Sequence, residues 1–102
     1  MGKKHKAAER YLQLRGYRKL GSCEGFLVFD DEGELVFVNV IASDEFSESS
    51  YEELKESFEH AMIAWFEEHQ ADDDFIIRCD EVCIVKAGNN RAIVRHYVNA
   101  IS

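Results

Sequence analysis

"GELVFVNVIASD", residues 33–44, places six apolar side chains, Leu35, Val36, Phe37, Val38, Val40 and Ile41, around a single amide, Asn39. The run is rich in β-branched and aromatic residues and reads as a strand built for a protein interior. Leaving an unpaired amide buried in such a strand costs on the order of 1–3 kcal/mol. Asn39 therefore either has a partner or stands where a polar group meets a site.

Working outward, "DDEG", Asp30 to Gly33, supplies a hairpin turn before this strand. Short β-prone runs precede it at Tyr17–Cys23 and Glu24–Asp30, and with Glu34–Ser43 they form a three-stranded antiparallel meander. Ahead of the meander, Lys4 to Leu14 forms a first helix, with Ala7, Ala8, Tyr11, Leu12 and Leu14 available for burial and Gly16 as its stop. After the strand, Tyr51, Leu54, Phe58, Ala61, Met62, Trp65 and Phe66 fall at three- and four-residue spacings. They make the apolar stripe of a second helix, with Ser50 and Glu53 as its capping box and "ADDD" beyond its end. The remaining "FIIRCDEVCIVKAGNNRAIVRHYVNAIS" reads as two strands joined by Gly88-Asn89-Asn90. The order is α-β-β-β-α-β-β, an α+β domain spanning residues 1–102 with one mixed sheet flanked by helices.

Composition excludes several classes. Hydrophobic residues are 46% of the 102, enough for a core, and no apolar run approaches the roughly 18 residues of a membrane span. The basic start, "MGKKHKAAER", is not followed by the apolar segment of an export signal, so a cytoplasmic location and no membrane association are expected. The net charge of −8 opposes nucleic-acid binding, since Lys and Arg contacts to phosphates supply most of that affinity. The cations gather before Leu20, and Lys3, Lys4, Lys6 and Arg10 are the candidates for any weak contact with nucleic acid. Cys23, Cys79 and Cys83 are odd in number and form no C-x-x-C pair, so they read as small apolar residues rather than disulfides or zinc ligands.

Glu56 and His60 stand one helical turn apart but lack an H-E-x-x-H pattern, which reads as a solvated helix face. Glu9, with Lys6 and Arg10, reads as helix-surface pairing. Arg78 and Asp80 share a strand face at i, i+2 and read as a structural ion pair or as hydrogen-bonded to backbone, and His96 as a satisfied structural histidine. Trp65 reads as core, with an edge suited to a partner interface.

Several of these segments together resemble one family. "KAAERYLQLRGYRKL" is similar to its opening "A-x-x-Y-L-x-x-x-G-Y", and "LVFVNV" to its "L-V-F-V-E-V-K" strand. "IRCDEVCIV" with "IVRHYVNAI" resembles the closing "R-F-D-V-V-x-V" and "I-x-H-x-x-N-A-F". This is the YraN-like family, assigned to the restriction-endonuclease-like nucleases. The resemblance implies that fold and a metal-dependent phosphodiesterase site, in which carboxylates hold a divalent cation and a lysine offsets developing charge.

Carried over by position, "G-E-I-D" falls on Cys23-Glu24-Gly25-Phe26 and "E-V-K" on Asn39-Val40-Ile41. Glu24 is kept, while a metal-binding aspartate becomes Phe26, a glutamate becomes Asn39 and the lysine becomes Ile41. A further family glutamate in the first helix falls at His5. The family's basic stretch on the second helix corresponds to "LKESFEH", where Glu56 and Glu59 oppose phosphate. One carboxylate does not hold a catalytic magnesium. The expectation is a degenerate nuclease fold with no cofactor and no metal site, acting as a protein-interaction or scaffold module. Phe26, Ile41 and Trp65 are its candidate partner surface, for another protein or a second copy. The alternative is a nucleic-acid binder, or a divergent endonuclease whose site is rebuilt from Glu24, Asn39 and Asp80.

Overall fold

The computed structural model describes residues 3–42, 51–69, 76–88 and 91–101. The expected cap Ser50, the "ADDD" stretch, Ser43, Asn89 and Asn90 lie outside the described residues, as does the side chain of Lys3.

Two-residue loops build the first half. Glu24 and Gly25 have φ of 50° and 86°, and Glu32 and Gly33 have 52° and 89°. Both central residues in the left-handed region define the type I′ turn, whose twist matches that of paired strands. The turns link β1 (Arg18–Cys23), β2 (Phe26–Asp31) and β3 (Glu34–Ala42) into an antiparallel meander. The run expected from Glu24 therefore begins at Phe26, because Glu24 and Gly25 are spent on the turn.

α1 (Lys3–Leu14) precedes the meander, and α2 (Tyr51–His69) follows it. β4 (Ile77–Lys86) lies parallel to β3, and β5 (Ala92–Tyr97) pairs antiparallel with β4. Among the described residues there are thus two helices and one five-stranded mixed sheet in the order β1-β2-β3-β4-β5. A parallel neighbour cannot be reached by a hairpin, and α2 lies on the crossover.

Alternation along the strands separates two cores. Leu27, Phe29, Val36, Val38, Val40, Val82 and Ile84 pack with Ala8 and Leu12 of α1. Phe26, Val28, Leu35, Phe37 and Cys79 pack with Phe58, Ala61 and Trp65 of α2. From Leu35 to Val38, β3 is buried on both faces, as its uninterrupted apolar run requires.

Two expectations change on the helices. Leu14 is exposed, two residues beyond the buried Leu12 and so on a different side of the last turn. Glu9 reaches across to Lys19 of β1, 2.6 Å away, instead of pairing with Lys6 or Arg10 on its own helix.

Candidate functional site

Asn39 sits on the α2 side of β3, opposite Glu81 of β4 in register. It is half-buried, so its amide keeps access to water and the cost of an orphaned polar group does not arise. Ile41 lies two residues on, opposite Cys83, and is also half-buried. Phe26 starts β2 one step beyond the Leu27–Val38 pair. It is 3% exposed, with its ring 6.3 Å from Phe37 and 6.4 Å from Phe58.

Glu24 points from the β1–β2 turn into an open groove that it lines with Glu53, Glu56, Ser57 and His60 of α2. Glu56 and His60 do share that groove. Among the described residues, no three His, Cys, Asp or Glu side chains converge closely enough to hold a metal ion. The structure therefore spreads the four positions marked by the resemblance across a turn, a core and a half-buried strand end.

The expected partner surface also divides. Trp65 is 6% exposed, stands edge-on to Phe37 at 6.3 Å and stacks on His69 at 3.7 Å. Phe26 and Trp65 are both core residues: α2 covers Phe26, and Trp65 projects from the buried face of that same helix onto Phe37 of the sheet. Of the three, only Ile41 retains partial access.

On the opposite face the structure gathers a polar network. Asp80 is fully buried and receives donors at both oxygens. Arg78 Nε and the Asn99 backbone N–H donate to Oδ1, each at 3.0 Å. Tyr17 OH at 3.2 Å and His96 Nε2 at 2.7 Å donate to Oδ2. The carboxylate fixes Nε2 as a protonated nitrogen, and His96 Nδ1 lies 3.3 Å from Tyr11 OH on α1. Arg78 also donates from Nη2 to Tyr17 OH at 2.6 Å and to Asp31 at 2.8 Å, and its Nη1 lies 3.3 Å from Glu34.

Burial alone raises a carboxyl's pKa, but the hydrogen bonds from His96, Arg78 and Asn99 outweigh it and bring Asp80 down to about 2. Burial, then the negative charge of Asp80, pushes the Tyr17 hydroxyl up to about 12. Burial works against the Arg78 charge, yet its bonds to Asp80 and Asp31 leave its pKa above the usual arginine value. An ionised carboxylate offers about four acceptor positions. Here donors fill all four, leaving no lone pair for a cation or an attacking water.

The Arg78–Asp80 pair is where the i, i+2 spacing placed it, and His96 is satisfied as expected. Tyr17, Asp31 and Asn99 were not singled out. Their contacts cross from other elements, and only the left-handed backbone of Asn99, φ 55°, has a local signature, since asparagine tolerates that region. Compared with protein families and curated proteins, the chain matches no family model and no curated sequence significantly.

Proposed function

We propose that this chain is a non-catalytic protein-interaction domain, a restriction-endonuclease-like fold of YraN-like descent whose catalytic positions now serve structure. The observation that carries this reading is Phe26. Where the resemblance calls for a metal-binding aspartate, an aromatic ring is packed against Phe37 and Phe58 under α2. A carboxylate there would be desolvated, with phenyl rings as its neighbours. Glu24 is left in a turn, and the buried Asp80 has both oxygens occupied. Exposed acids on α2, including Glu52, Glu56, Glu59, Glu67 and Glu68, favour protein over phosphate contact.

The test is an incubation with branched and single-stranded DNA and manganese at low salt, beside mass measurements of the chain alone and mixed with candidate partners. No scission together with a defined protein complex is the expected result. Cleavage of DNA, or a strict monomer that binds no protein, would overturn the reading.

A second reading rests on α1, where Lys6 and Arg10 are exposed and Glu9 is drawn away to Lys19. It makes the helix a contact for phosphates. Salt-sensitive DNA binding lost in a Lys6→Glu, Arg10→Glu variant would favour it.

A further inference from the structure

Resting on the reading of the chain as an interaction domain, we infer that the open edge of β5 docks an extended, acidic-apolar segment of a partner protein by strand addition. The two edges of the sheet differ. β1 is blunted: its register shifts between Lys19 and Gly21, and Trp65 of α2 closes over Gly21. β5 pairs with β4 over six unbroken steps, from Lys86–Ala92 to Glu81–Tyr97. It contains neither glycine nor proline. Such an edge presents a row of backbone donors and acceptors to any added strand.

The side chains beside that row select the partner. Val94 packs into the α1-side core and His96 bonds to Asp80, so Ile93, Arg95 and Tyr97 project from the other face. On that face the α2-side core stops at Ile77 and Cys79 of β4 and does not reach β5. Ile93, Tyr97 and the following Val98 are 51%, 50% and 58% exposed. Ile41 and Cys83 continue the same face inward.

Charge identifies the occupant. Within a chain of net charge −8, the sequence from Lys86 onward carries Lys86, Arg91 and Arg95 and no Asp or Glu. All three cations are exposed. A second copy is disfavoured, since β5 against β5 would bring these arginines together and join two acidic molecules. A strand alternating apolar residues with Asp or Glu satisfies the backbone, covers Ile93 and Tyr97, and pairs with the arginines.

The experiment uses the whole chain and a synthetic peptide of alternating valine and glutamate, as long as β5, followed by fluorescence anisotropy and amide hydrogen exchange. Binding should slow exchange in Ala92–Tyr97, and Arg95→Glu should weaken it about tenfold and admit the peptide with lysine in place of glutamate. Arg91→Glu, placed before the strand, gives the same charge reversal if Arg95→Glu loses its fold. The assignment is overturned by protection elsewhere or none, by equal binding of the lysine peptide to the unaltered chain, by concentration-dependent protection of β5 without peptide, or by an oligonucleotide that protects the same amides. A silent β5 beside a defined protein complex through another face removes only the edge assignment. DNA scission with manganese removes the interaction-domain reading itself.

Discussion

Replacing Asp80 by asparagine leaves Arg78, Tyr17 and His96 facing a neutral amide, whose oxygen still accepts on one side while its NH2 opposes donors on the other. Breaking a buried charge pair in this way costs about 3–5 kcal/mol, read as a lowered midpoint in chemical denaturation. The acid limb carries a second signature. The Asp80 carboxyl is held at about 2 in the folded chain against an ordinary 3.8, so its stabilisation is present above pH 4 and is lost as pH falls towards 2. That difference amounts to about 2 kcal/mol. Asp80→Asn should therefore differ most from the parent at neutral pH, with the gap narrowing by about 2 kcal/mol as pH falls towards 2. Tyr17 gives the alkaline counterpart: its hydroxyl is raised to about 12, so stability is full below pH 10 and falls as pH rises towards 12. In an ultraviolet titration, one of the four tyrosines should ionise late, and Tyr17→Phe should remove that step.

Glu24 shows how differently one side chain reads in a motif and in a strand pairing. Its φ of 50° belongs to a turn that favours asparagine before glycine. Glu24→Asn should raise the thermal midpoint by the equivalent of roughly 0.5–1 kcal/mol, without effect on any binding activity. Elements whose signals are local were legible: the stripe from Leu54 to Phe66, the turn before β3 at Asp30 to Gly33, and the run from Leu35 to Ile41; the turn at Glu24 and Gly25 was read as the start of a strand. Arg78 and Asp80 were legible for the same reason, being two residues apart. Tyr17 lies 63 residues from Asp80, and Asp31 47 from Arg78, so no spacing rule brings them together. Phe26 was misplaced towards the surface because burial under a helix depends on where that helix docks; Trp65 is core as its spacing indicated, but the edge expected to face a partner is buried as well. The exposed aromatic at the sheet's free side is instead Tyr97, whose alternation with the inward Val94 and His96 becomes visible only once β5 is known to be an edge.

The molecule as a whole is layered around β3 and β4, with basic α1 on one side and acidic α2 on the other. Protection from amide hydrogen exchange should follow that layering. The amides of β3 and the first half of β4 should open only with global unfolding, and those of β5 and the ends of α1 sooner. Faster exchange in β3 than in β5 would contradict the placement of the core. The parallel pairing of β3 with β4 also governs how the chain is made. The meander closes on itself as soon as it leaves the ribosome, but the other side of β3 waits for a strand 44 positions later, from Ala42 to Lys86. At roughly 5–20 residues per second, the nascent chain carries an unsatisfied, valine- and phenylalanine-rich border for about two to nine seconds. Through that interval a chaperone that shields extended apolar segments has its target at residues 35–41, and translation in its absence should yield aggregates nucleated there.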